Sequence, residues 1–163
     1  MKTIGLIGGM SWESSIEYYR IINETVREKL GGLHSAKNVM YSVDFAEIET
    51  MQHQNRWKEA TQLMIEAAQH VQNGGADFVL ICTNTMHKMA DDVQNHIDIH
   101  LLHIADATAE VIKHQGLTKI GLLGTRYTME EQFYKGRLES KHGLTVLIPG
   151  EDDREIIHRV IYD

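Results

Sequence analysis

The sequence predicts an α/β protein of two similar parallel-sheet units, each three layers deep, with the second unit incomplete. Three observations predict it. Short apolar runs alternate with longer segments of helical periodicity along the whole chain, the pattern of a parallel sheet with helices on both faces. The apolar runs end in glycine-rich or hydroxyl-rich loops, the signal of buried strands. The opening of the chain is also echoed about 116 residues later, Lys2-Thr3-Ile4-Gly5-Leu6-Ile7-Gly8-Gly9 against Thr118-Lys119-Ile120-Gly121-Leu122-Leu123-Gly124-Thr125. Tyr18-Tyr19-Arg20 and Phe133-Tyr134-Lys135 match at nearly the same offset, which is read as a half-repeat.

The elements follow in order. Residues 3–7 form an apolar strand closed by Gly8-Gly9. Residues 11–30 carry Ile16, Tyr19, Ile22, Val26 and Leu30 at helical spacing, and Gly31-Gly32 stops them. Residues 38–45 read as a second strand and 45–52 as the loop after it. Residues 57–72 form a helix with Leu63, Met64, Ala67, Ala68 and Val71 on one face. Then come a strand (77–82), a short helix (86–94), a strand (101–104), a helix (107–113), a strand (119–123), a helix (129–141), a strand (144–148) and a helix (152–161). The first unit is expected over 1–104 and the partial second over 105–163. Trp12, Tyr18, Tyr19 and Trp57 are expected to pack, as aromatics at helical spacing usually do.

Composition narrows the function. A net charge of −7 with scattered Lys and Arg excludes a nucleic-acid partner. No apolar run approaches the ~18 residues of a membrane span, and the N-terminal apolar stretch is too short for a signal-peptide core. One cysteine makes no internal disulfide. The expected setting is cytoplasmic, with no membrane partner.

In parallel sheets ligands sit beyond the carboxyl ends of the strands, so the loops 8–14, 45–52, 83–87 and 124–128 hold the candidates. Thr83-Asn84-Thr85 leaves a strand and enters a helix. Two hydroxyls and an amide there can hold a carboxylate with help from helix N–H groups, or simply cap the helix. Cys82 and Thr83 are neighbours on extended chain, so their side chains point to opposite faces. Cys82 continues the apolar run and is assigned to the core, which turns Thr83 toward the ligand. His87 either orients a substrate group or is a polar residue at a helix start. Gly8-Gly9-Met10-Ser11 is half a dinucleotide fingerprint, without the third glycine, and Asp44 comes late for the acidic partner. No nucleotide cofactor is expected; the glycines let backbone approach a small ligand. Gln52 offers a neutral amide. Thr125, Arg126 and Thr128 form the matching loop of the second half, with Arg126 at the ligand or in solvent. His96, His100 and His103 have helical metal-site spacing in a non-helical context, and no metal site is expected.

Taken together, IGLIGGMSWES, SVDFAEIE, CTNTMHK, HIADAT and LLGTRYTME resemble the aspartate/glutamate racemase family, in particular its broad-specificity amino-acid racemases, over essentially the whole chain. The resemblance implies two similar halves with the site between them, a small amino-acid substrate, no cofactor and a homodimer. It also implies one cysteine from each half, acting as opposed acid and base. Residue by residue, the first-half Cys-Asn-Thr motif falls on Thr83-Asn84-Thr85, so Thr83 stands where the thiol is expected. The second-half motif, Gly-Cys-Thr-Glu, has no counterpart before Asp163. The resemblance implies Thr83 as the catalytic position. Met10, Gln52, Asn84, Thr85 and Thr125 would hold substrate, with Ser11 and His87 behind them. The expected activity is asymmetric, and weak or absent in this chain. The alternatives are a dicarboxylate-binding remnant, or a related isomerase or decarboxylase.

Overall fold

A computed structural model of the chain describes residues 1–162; Asp163, the last residue of the expected second unit, lies outside them. The chain forms two compact units. The first comprises Met1–Thr83 and Met89–Leu102, the second Asn84–Lys88 and His103–Asp163.

The first unit contains β1 (Ile4–Gly8), α1 (Trp12–Leu30), β2 (Asn38–Ser42), α2 (Phe45–His53), α3 (Trp57–Asn73), β3 (Phe78–Ile81), α4 (Ala90–Gln94) and β4 (His100–Leu101). Its four strands are parallel in the order β2-β1-β3-β4. Two glycines on β1 show how the layers close. A Cβ on Gly5 would stand 2.2 Å from Val71 of α3, and one on Gly8 would stand 2.6 Å from Ser15 of α1. Positions 5 and 8 differ in parity, so they face opposite sides of the sheet. α3 therefore lies on one face and α1 on the other, which makes the three layers.

The two layers are unequal. α3 buries Ala60, Met64, Ile65, Ala67, Ala68 and Val71 against Ile7, Val79 and Ile81, all of them buried. Across the 19 residues of α1 only Ser15 is buried. The expected packing of Trp12 and Tyr19 does not occur: Trp12 is 60% exposed, and Ile16, Tyr19 and Leu30 are exposed too. Ser15 at the sheet and the half-buried Tyr18, Ile22 and Val26 mark the inward face instead. The cause is steric, because a helix this close to Gly8 presents its small serine and turns its large apolar residues aside.

Residues 45–52, expected as a loop, are helix α2. Asp44 caps it by accepting the Ala46 N–H at 3.0 Å, Glu47 sits in the first turn, and Ile48 is buried. Asp44 with Glu47 three residues on has the spacing of a capping box, and this signal outweighs the short length. β2 accordingly ends at Ser42.

The second unit contains a tight 3-10 turn beginning at Thr85, α5 (Ile104–His114), β5 (Lys119–Gly121), α6 (Arg126–Glu130), a π turn over Gln132–Gly136, α7 (Arg137–Ser140), β6 (Thr145–Leu147) and α8 (Glu151–Tyr162). β5 and β6 form a separate parallel pair. Ala105, Ala109, Leu122, Tyr134, Leu138, Leu144 and Val146 make its core. The single helix expected over 129–141 is broken at Glu131, whose backbone is extended. A π turn over Gln132–Gly136 follows the break. α5 starts three residues earlier than expected because His103, an uncommon cap, serves as its N-cap.

Asp106, in the first turn of α5, ties this unit together. Its carboxylate accepts two bonds from Arg137, at 2.7 and 2.8 Å, one from Lys141 at 2.6 Å and one at 2.8 Å from His142. The Arg137 bonds hold its carboxyl well below the usual range, with help from His142 and Lys141 and against partial burial.

Two outcomes follow for stability. Gly5→Ala is expected to cost about 1–3 kcal/mol in urea unfolding through overpacking, whereas Gly121→Ala, with nothing within 4 Å of its Cβ, is expected to change stability by less than about 0.5 kcal/mol. The depressed pKa of Asp106 gives stability that is present above the unfolded carboxyl value of ~3.9 and lost as pH falls below it. The melting-temperature gap between wild type and Asp106→Asn should therefore hold constant from pH 6 to about pH 5 and shrink from there to pH 2.

Candidate active site

In the first unit the parallel register brings Gly8 beside Ser42 and Ile7 beside Ile81. The loops after β1, β2 and β3 therefore leave the sheet at one edge, the carboxyl edge where ligands bind in such folds. Gly9 has φ +92°, and a Cβ there would stand 2.2 Å from the Val43 carbonyl oxygen. Only glycine fits this left-handed position. Its N–H donates to Ser15 Oγ at 2.9 Å, and Gly8 accepts from the Val43 N–H at 3.0 Å.

Beside this turn stand Met10, buried, and Ser11, half-buried. Ser11 acts through its backbone: its carbonyl accepts from Ser14 Oγ at 2.9 Å and Ser15 Oγ at 3.1 Å. Ser14 Oγ also lies 2.7 Å from the Cys82 carbonyl oxygen. Ser14 thus joins the first loop to the end of β3, immediately before Thr83. Sequence reasoning missed it; the signal available was a second serine one helical turn after Ser11, on the face that meets the strand. Gln52 stands on α2 instead of in a loop, is 4% exposed and already has a partner within the protein.

Cys82 and Thr83 differ in environment. Cys82 is wholly buried, and burial pushes its thiol up to about 12. Thr83 is half-buried. A thiol with that pKa and no access to solvent is neither nucleophile nor base near neutral pH.

The remaining candidates belong to the second unit. Asn84 is exposed. Thr85, 5% exposed, shares a hydrogen bond of 3.0 Å with Thr125, whose hydroxyl shares another of 3.2 Å with Thr128. Three hydroxyls sharing two such bonds keep one hydrogen to donate elsewhere. Thr125 also N-caps α6, accepting the Thr128 N–H. Lys88 pairs with Glu131 at 2.5 Å. His87 is buried, and its Nε2 accepts the Ile104 N–H at 3.3 Å. Arg126 is exposed, with its guanidinium 5.9 Å from the Tyr127 ring centre.

The three histidines with metal-site spacing have separate tasks. His96 Nδ1 bonds the Asp92 carbonyl at 2.7 Å, His100 lies in β4, and His103 caps α5.

These features define an α/β protein whose glycine turn and hydroxyl–amide segment follow the two central strands of a parallel sheet. The chain belongs to the Asp/Glu/hydantoin racemase family, whose model matches residues 7–162. Its fold matches that of a Yersinia pestis protein provisionally assigned as an Asp/Glu racemase, at 59% identity and a TM-score of 0.93, covering 99% of this chain and 70% of that one. It also matches an aspartate racemase homologue from Pyrococcus horikoshii OT3, at 36% identity and a TM-score of 0.86, covering 100% of this chain and 71% of the other. The broad-specificity amino-acid racemase RacX of Bacillus subtilis is 26% identical over 101 residues, which are 62% of this chain and 39% of RacX. Among the described residues no helix is long and apolar enough to cross a membrane.

Ser14→Ala is expected to cost about 1 kcal/mol through loss of its bond to the Cys82 carbonyl, read by thermal unfolding. Cys82 is expected to resist a thiol reagent at pH 8 in the native protein and to react fully in denaturant; rapid labelling of native protein would contradict its burial.

Proposed function

We propose that the chain is a cofactor-independent amino-acid racemase of aspartate or glutamate, asymmetric and of low or no activity. The observation that carries this reading is the exchange of roles at the end of β3. The chain's cysteine is buried with its thiol pKa raised, and the half-buried Thr83 follows it where the family motif has its thiol.

Removing an α-proton requires a base at the carbon and donors that neutralise the carboxylate. Asn84 is exposed and offers an amide donor, and the Thr85–Thr125–Thr128 hydroxyls hold one hydrogen to donate. Met10 and Gln52 are assigned to the rest of the substrate, with Ser11 supporting Met10. Thr83 is a poor base, because a thiol ionises near ~8.5 whereas an aliphatic alcohol stays protonated at neutral pH. In the family the opposed acid–base is a cysteine thiol of the second half; with such a thiolate taking the α-proton on one face and the Thr83 hydroxyl returning a proton on the other, one enantiomer would be handled better than its mirror image. The implied assembly is a homodimer, checked by sedimentation.

The test is α-deuteration of L- and D-aspartate and L- and D-glutamate in D₂O. Wild type should exchange slowly and favour one enantiomer. Thr83→Ala should fall to the buffer rate, and Thr83→Cys should rise at least tenfold, about 1.4 kcal/mol of barrier. Fast, equal exchange of both enantiomers that survives Thr83→Ala would overturn the proposal. The buried cysteine also favours a second reading, a dicarboxylate-binding protein without chemistry. Calorimetric binding of aspartate, glutamate or succinate with no α-deuteration in any variant would select it.

A further inference from the structure

The start of α5 is held by two buried histidines that the proposed chemistry does not use. His103, 6% exposed, caps the helix conventionally, its Nδ1 accepting the Ala105 N–H at 3.2 Å. His87, 2% exposed, comes from a different segment, and its Nε2 accepts the preceding N–H, that of Ile104. The two rings meet at 4.5 Å between centres, their planes tilted by 59°. Two of the N–H groups that a helix start leaves without an intrahelical partner are thus each met by an imidazole lone pair.

A nitrogen that accepts cannot carry a hydrogen, so each bond fixes a tautomer. His87 must carry its hydrogen on Nδ1, and His103 on Nε2. Neither ring can be charged on both nitrogens and keep its bond. At His103 the surroundings enforce this: burial comes first, pushing it down to about 3, and His87, Arg137 of α7 and Lys141 just beyond α7 act in the same direction, opposed by Asp106 of α5. The positive end of α5 adds to the penalty on a cation.

His87 lies two residues after Thr85 in a segment with two more anchors, the Thr85–Thr125 bond and the Lys88–Glu131 ion pair. The His87 N–H also donates back to the Asn84 carbonyl at 3.0 Å. Of these anchors, only His87 attaches the segment to a helix terminus through a nitrogen that protonation would disable.

We propose that His87 is a positioning residue: as a neutral acceptor on the Ile104 N–H, backed by His103, it sets where Asn84 and Thr85 stand. The positioning role rests on the reading that Asn84 and Thr85 hold substrate; the capping role does not.

Long-range ¹H–¹⁵N spectra of the wild-type protein test it first. At pH 7 His87 should show hydrogen on Nδ1 and His103 on Nε2, the latter unchanged from pH 8 to pH 5. Hydrogen on His87 Nε2 at pH 7 would overturn the proposal with no variant needed. Next, His87→Phe should speed amide exchange at Ile104 at least tenfold and shift the Asn84 and Thr85 amides. His87→Gln, which keeps an acceptor at the same reach, should restore both. A Phe variant indistinguishable from wild type at these amides would mean that the ring only fills space, and would also overturn it. Calorimetric affinity for aspartate should fall at least fivefold in His87→Phe and recover in His87→Gln. If wild type binds no amino acid while the tautomers and exchange behave as stated, the racemase reading fails and the cap stands.

Discussion

The first unit depends on the absence of two side chains from its central strand. β1 carries glycine at position 5 on one face and at position 8 on the other, and a helix closes on each gap. Helix-on-sheet packing is normally spaced by side chains from both partners; removing one set lets α3 and the start of α1 come to the strand itself. The close approach of α1 puts Ser15 within reach of the Gly9 N–H and Ser14 within reach of the Cys82 carbonyl. The geometry of the first loop, and its attachment to the residue preceding Thr83, are thus consequences of glycine in a strand.

The parallel sheet and its layers were readable from the sequence because they rest on periodicity, which is local, whereas the strand order was not. The assignment of Cys82 to the interior rests equally on local geometry, since neighbours on extended chain must diverge. The orientation of α1 was not readable this way. Of the apolar residues at helical spacing only Ile22 and Val26 stay half-buried, while at its start the helix turns serines to the sheet, because there the distance to the strand selects the face. Residues 45–53 show a different failure: the Asp44–Glu47 capping pair was present, but the prior for a loop after a strand hid a helix of nine residues.

The second unit was less legible for a physical reason. Its contacts are polar and distant in sequence: Asp106 with Arg137, Lys141 and His142, Lys88 with Glu131, Thr85 with Thr125. None of these leaves a periodic trace. His103 as a cap and His87 as its neighbour belong to the same class, for histidine is not a residue that sequence rules place at helix starts. The half-repeat is visible as two parallel strand–helix–strand passages, but the second breaks its helix at Glu131, the residue that receives Lys88.

The path of the chain limits how modular this architecture is. The backbone passes between the two units three times, after Thr83, after Lys88 and after Leu102. A cut between residues 102 and 103 would strand the 84–88 segment on the piece that does not bind it, and would strip the other piece of Thr85, His87 and Lys88. Neither unit is a separable cassette. Recombination or domain exchange that respects the contacts must transfer a five-residue insert along with the larger block.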